Sequence, residues 1–179
     1  ENGKMKTEAA SSPITIQQLA SHTSGLSYSF VPGPVGAMYI AEEMERGLGN
    51  SPSAGGEFFT EGTKPPFGNL REWTKALAEL PLVAQPGTVW NYSVGMDVLG
   101  ALIEEVSGMT FGEFLEERIF SPLGMEDTGF IVPEEKLNRF AANYSPTPDN
   151  MMLMDDPEKS GYRTPPQLES GGGGLVSTV

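Results

Sequence analysis

Between Asn69 and Ile119 the chain spells out three amphipathic helices in succession, each with its own start and stop signal, and this run constrains the fold more than any other feature. Asn69-Leu70-Arg71-Glu72 fits a capping box, after which Leu70, Trp73, Leu77 and Leu80 recur on one face until Pro81. Pro86-Gly87 then turns the chain. Val94, Val98, Leu102 and Val106 repeat every fourth residue, with Asp97, Glu104 and Glu105 off that stripe. Gly108 closes this helix, and Thr110 with Glu113 makes another capping box, opening a helix with a predicted buried face of Phe111, Phe114, Leu115 and Ile119. Two helices packed as a hairpin are expected, the first of them central to the core.

The flanks are less regular. Thr15 is placed to cap a short helix through Ile16-Gln17-Gln18-Leu19-Ala20, stopping at the Ser24-Gly25 turn. A second helix is predicted over Val35 to Arg46 from the spacing of Met38, Ala41 and Met44, with Gly47 and Gly49 breaking it. Asn50 to Gly68 collects Ser, Pro and Gly and reads as a long surface loop, either bordering a binding site or without a role. Beyond Pro122-Leu123-Gly124 the pattern predicts a short turn at Pro133 to Leu137. Short strands are predicted at Phe140 to Tyr144 and Met151 to Met154, separated by the turn Pro146-Thr147-Pro148-Asp149-Asn150.

With 179 residues, 38% of them hydrophobic, the chain is long enough for one domain with a real core. Its 24 acidic against 11 basic residues give a net charge of −13, which argues against a nucleic-acid or anionic-membrane surface and for a small, neutral or cationic partner. The absence of cysteine removes disulfides, thiol nucleophiles and thiolate metal sites. No run of about 18 apolar residues and no leader pattern occurs, so no membrane span is expected; the compartment is open between the cytoplasm and export with a leader removed. The chain opens on Glu1 and closes on Ser177-Thr178-Val179, which reads as the beginning of a helix. A piece of a larger polypeptide is therefore expected, and an exposed core face would favour self-association.

Chemistry concentrates in Gly87-Thr88-Val89-Trp90-Asn91-Tyr92-Ser93-Val94-Gly95, which sets a tyrosine at a loop-to-helix junction. Together with His22-Thr23-Ser24-Gly25-Leu26 upstream, Ser107-Gly108-Met109-Thr110-Phe111, and Ser121-Pro122-Leu123-Gly124-Met125 downstream, this segment resembles the penicillin-recognising serine hydrolases: serine β-lactamases, DD-peptidases and related carboxylesterases. The order and spacing of the pieces fit that family along nearly the whole chain. The resemblance implies a mainly α unit with a few short strands and long loops. That unit, residues 1–179, would be the helical subdomain of an α+β serine hydrolase fold, lying beside an antiparallel sheet outside this chain.

In that family a serine and a lysine three residues later share one helix face, a tyrosine completes the proton network, and an acyl-enzyme forms and is hydrolysed. Residue by residue, only the tyrosine carries over, to Tyr92. Lys4, Lys6, Lys64, Lys75, Lys136 and Lys159 follow Glu1, Gly3, Glu61, Glu72, Pro133 and Asp156 at that spacing, so no Ser-x-x-Lys occurs. An unperturbed phenol, with a pKa of about 10, is ionised in only about one molecule in a thousand at pH 7, so Tyr92 needs a neighbouring cation to act. The chain alone is therefore expected to be inactive.

A tyrosine at a helix start also has a structural reading, with its ring buried and its hydroxyl bonded. Trp90 reads as core or as a pocket wall. The family's β-lactamases and DD-peptidases usually carry asparagine where Val94 stands, so the resemblance favours the carboxylesterase branch, with an ester substrate in preference to a β-lactam and Val94 as an apolar pocket wall. A non-catalytic helical binding module is the alternative from another class. His22, the single histidine, is expected to satisfy carbonyls at a helix end instead of acting as a base. Ser170 and Gly171-Gly172-Gly173-Gly174 read as a tight, flexible connection, for which the family implies an indirect shaping role. Asp155-Asp156 and Glu42-Glu43 lack further spaced ligands, so no metal and no cofactor are expected.

Overall fold

The computed structural model describes residues 5–42, 44–45, 47–48 and 67–178. The loop read over Asn50 to Gly68 thus lies outside the described residues, save for its last two.

Helix α1 (Ile16–Ala20) starts at a reciprocal cap: the Thr15 hydroxyl accepts from the Gln18 N–H at 3.2 Å, and Gln18 Oε1 accepts from the Thr15 N–H at 2.9 Å. It ends sooner than the Ser24-Gly25 turn, because His22 itself takes a left-handed backbone conformation (φ 55°). Helix α2 (Pro34–Ala41) also stops short of the predicted Arg46. Past Ala41 the chain tightens so that the Met44 carbonyl is taken by the indole N–H of Trp73 at 2.5 Å, and both side chains are fully buried.

Helix α3 (Leu70–Ala78) begins at Asn69, whose Oδ1 accepts from the Glu72 N–H at 2.9 Å. Glu72 does not close the box on Asn69; its carboxylate accepts from the Gly68 N–H at 2.8 Å. Leu70, Trp73 and Leu77 face inward as the pattern requires. Helix α4 (Gly95–Ser107) ends on Gly108 in the left-handed conformation, as expected. Its every-fourth-residue stripe is buried at one end only: Val94 is 0% exposed and Val106 79%. Four residues overshoot a turn by about 40°, so the stripe drifts by about 120° over three steps. Asp97, placed off the stripe by periodicity, is buried.

Helix α5 (Phe111–Leu115) has both bonds of the Thr110–Glu113 capping box. Glu104 and Glu169 add carboxylates that accept from the Phe111 and Gly112 N–H groups, at 3.0 and 2.6 Å. The helix then runs through a π-helical turn, Glu116–Phe120, into α6 (Ser121–Leu123). The π turn advances the register by one residue. Phe120 is consequently buried where an uninterrupted α-helix would bury Ile119, and Ile119 is 38% exposed.

Glu134–Arg139 forms a 3-10 helix at the predicted turn. Strands β1 (Asn143–Pro146) and β2 (Met151–Asp155) pair antiparallel, with Tyr144 opposite Leu153 and Pro146 opposite Met151. The first strand lies about three residues later than predicted, because Pro133 to Arg139 extends its turn. The core joins Leu19, Leu26, Tyr39 and Met44 to Leu70, Trp73, Val94, Phe111, Phe120 and Leu168. Among the described residues no helix is long and apolar enough to cross a membrane.

Candidate active site around Tyr92

The two segments singled out in the sequence, at 22–26 and 87–95, lie side by side. The Gly87 N–H donates to the Thr23 carbonyl at 2.7 Å, the Asn91 N–H to the His22 carbonyl at 2.8 Å, and the Val94 N–H to the Ser27 carbonyl at 3.2 Å. The Asn91 amide adds a bond from Nδ2 to the Leu26 carbonyl at 2.7 Å. Gly25 must be glycine at this seam: its φ is +85°, and a Cβ would run into the Ala84 carbonyl oxygen.

His22 does not satisfy helix-end carbonyls with its side chain. Its Nδ1 accepts from the Ser93 N–H and meets the Ser93 hydroxyl, each at 3.3 Å. The ring fixes the residue next to Tyr92, and its centre lies 4.9 Å from that of the Tyr92 ring, with 53° between the planes. With Ser93 fully buried and Asn91 tied down, the Tyr92 backbone is fixed on both sides while its ring stays 44% exposed.

Trp90 is 65% exposed and stands edge-on to His22 at 6.1 Å, so it is not core. Val94 has no exposed surface; it precedes α4 and packs into the core, leaving no apolar or amide group of residue 94 at the site.

Two neighbours of Tyr92, Tyr28 and Phe30, and the burial of Asp97 escaped the sequence reading. Tyr28 lies 5.1 Å from Tyr92, ring centre to ring centre, and stacks on Phe30 at 4.9 Å with 16° between planes. Phe30 is 6.5 Å from Tyr92 and largely exposed. Asp97, on the first turn of α4, accepts through Oδ1 from the Ser170 hydroxyl at 2.6 Å and the Gly172 N–H at 3.2 Å. Among the described residues its other oxygen, Oδ2, has no hydrogen-bond partner. Burial pushes the Asp97 carboxyl above the usual carboxylate range, against the opposing pull of these hydrogen bonds. Ser170 and Gly172 thus form a lock behind the tyrosine loop, where the sequence suggested a flexible connection. The signals available for these residues were weak: a Tyr-x-Phe pair in a loop, and an acid off the apolar stripe.

Chemically, this face offers a phenol on an immobile backbone, ringed by His22, Tyr28 and Phe30. Among the described residues no group of three or more His, Asp or Glu side chains converges as a metal site.

Comparison with known proteins returns one family. Residues 5–179 match the Beta-lactamase family model. Protein Rv1367c of Mycobacterium tuberculosis (strain ATCC 25618 / H37Rv) is 34% identical over 176 residues, covering 97% of this chain and 38% of that protein. Esterase EstB of Burkholderia gladioli is 36% identical over 131 residues, covering 73% of this chain and 29% of the esterase. Among solved structures, EstCE1, described as a hydrolase with promiscuous acyltransferase activity, superposes with a TM-score of 0.70 at 27% identity, over 92% of this chain and 42% of that one. The chain therefore spans less than half the length of each of these relatives.

Proposed function

The chain belongs to the Beta-lactamase family, whose relatives here include esterases and acyltransferases, and on that premise we propose that it forms the tyrosine-bearing helical subdomain of a serine carboxylesterase. The observation that carries the reading is Tyr92: its ring is half exposed on a loop fixed by His22, Asn91 and Ser93, so a reacting group can approach the phenol without the backbone moving.

The mechanism follows from what the phenol lacks. A serine hydroxyl attacks the ester carbonyl, a base takes its proton, the alcohol leaves with a proton, and water later releases the acid from the acyl-enzyme. Tyr92 serves as the proton carrier between serine and leaving alcohol. It needs an ammonium beside it to favour the phenolate, and no Ser-x-x-Lys occurs in these 179 residues. Serine and lysine are accordingly assigned to polypeptide outside residues 1–179.

Val94 supports ester over β-lactam. The family's amide-bearing position is occupied by a side chain sealed in the core, so it offers no hydrogen bond to a β-lactam's side-chain carbonyl. The test is covalent trapping. A complete polypeptide containing this chain should gain one phosphonate adduct on a serine outside residues 1–179 and hydrolyse a p-nitrophenyl ester faster than nitrocefin, while the 179-residue chain gains none. Labelling within the 179 residues, or faster turnover of nitrocefin, contradicts the proposal.

A further inference from the structure

A packed line of four residues leads from the glycine-rich segment to the exposed phenol: Gly172, Asp97, Tyr28, Tyr92. A Cβ at Gly172 would stand 2.8 Å from the Tyr28 hydroxyl and 3.0 Å from Asp97 Oδ2, so both oxygens crowd the space that this glycine leaves open. Gly172 is also fixed by its N–H bond to Asp97 Oδ1, and Asp97 is anchored by Ser170. The far side of Tyr28 is closed by Phe30, and its ring meets that of Tyr92 at 5.1 Å with a 37° tilt. The Tyr28 hydroxyl thus lies beside Gly172 and the buried Asp97 carboxylate, on a ring packed against that of Tyr92.

We propose that Tyr28 is a positioning residue for Tyr92, its hydroxyl donating a hydrogen bond to the Tyr92 oxygen from a place that only glycine at position 172 leaves free. Two phenols sharing one proton-bearing contact must divide the roles of donor and acceptor, and the surroundings decide which is which. Burial pushes the Tyr28 phenol far above its ordinary range. The Asp97 carboxylate, Tyr92 and the Glu45 carboxylate act in the same direction. Glu45 is itself buried and bonded to the Ser29 N–H and hydroxyl, at 2.5 and 2.6 Å. Tyr28 therefore keeps its proton and gives the hydrogen bond. Tyr92, which also faces His22 and Phe30, receives it. A donor aimed at the Tyr92 oxygen stabilises that oxygen when it carries charge, which is the demand placed on a proton carrier.

The functional consequence rests on Tyr92 being the proton carrier; the hydrogen bond does not, and the experiment separates them. In the 179-residue chain with tyrosine isotope-labelled at Cζ, the Tyr28 signal should stay in its protonated position across the range around pH 10 where an ordinary phenol titrates. Tyr28→Phe keeps the ring and should move the Tyr92 Cζ resonance at neutral pH. Gly172→Ala, which displaces the hydroxyl without touching either tyrosine, should move it too. In a complete, active polypeptide Tyr28→Phe should lower kcat about tenfold with KM nearly unchanged, the loss expected of one hydrogen bond to a charged group. A Tyr28 signal that titrates as an ordinary phenol, a Tyr92 resonance indifferent to Tyr28→Phe, or an effect confined to KM would overturn the proposal. The resonance result decides the hydrogen bond whichever way turnover responds to loss of the Tyr92 hydroxyl, so the two readings fail separately.

Discussion

The loop around Tyr92 and the hairpin at 143–155 both hold large side chains in water, and they do so on backbones of opposite kinds. Tyr92 and Trp90 project from a segment stitched to residues 22–27 by bonds that span about 65 positions of sequence. Tyr144, Met151, Met152 and Leu153 project from two strands whose ladder bonds run to each other. Exposure in the first region comes with a fixed position, which is what a reacting phenol requires; in the second it comes with local pairing alone. Large exposed side chains are ordinary on protein surfaces, so it is the backbone beneath them that distinguishes the two regions.

Mutations at graded distances from the stitched segment sharpen this contrast. Trp73→Ala should be the most damaging, at about 3–5 kcal/mol, because it empties a fully buried site and frees the Met44 carbonyl; denaturant unfolding measures it. Asn91→Ala removes the bond to the Leu26 carbonyl and should cost about 1–3 kcal/mol. Its signature is faster amide exchange at the substituted position and at Val94, whose backbone N–H groups form the stitches themselves. Leu153→Ser, on the exposed hairpin, should stay within about 0.5 kcal/mol. Should Leu153→Ser destabilise more than Asn91→Ala, the contrast between the regions is reversed.

Titration gives a further handle. The Asp97 carboxyl is raised in the fold by burial, so the folded state binds its proton more tightly than the unfolded chain, whose aspartate titrates near pH 3.9. Its contribution therefore falls as pH rises above about 3.9 toward the folded-state value, and Asp97→Asn should flatten that part of the stability profile. Glu45 and Glu104 act with the same sign, both raised chiefly by burial. Asp127 acts oppositely. Arg139 and Lys136, at 2.7 and 2.9 Å, hold it down to about 2, so its contribution is complete above pH 3.9 and is lost as pH falls toward 2. A stability profile of Asp97→Asn parallel to that of the unaltered chain above pH 4 would contradict the assignment.

What the sequence made legible was local. The caps at Thr15 and Thr110, the stop at Gly108 and the inward face of α3 follow from residues three or four positions apart, and they stand where expected. What it hid was set by distant partners. Asp97 looks like an exposed acid by periodicity because the hydroxyl and amide that bury it arrive from 73 and 75 residues away. His22 sits at a helix end, and its side chain bonds to residue 93 instead of the helix. Phe120 replaces Ile119 because a single π turn shifts the register, and the hydrophobic pattern of five residues does not announce it. Tyr92 stands out in the sequence through its motif, whereas Tyr28 and Phe30 come to lie beside it only by folding.

The central claim is that the Tyr92 hydroxyl, and not merely its ring, is what this surface is built to present. The most direct measurement is ester turnover by a complete polypeptide containing this chain, with and without Tyr92→Phe, after matching thermal unfolding confirms that both are folded. The account predicts a fall in kcat of at least about a hundredfold with unfolding unchanged. Equal turnover by the two proteins would contradict it.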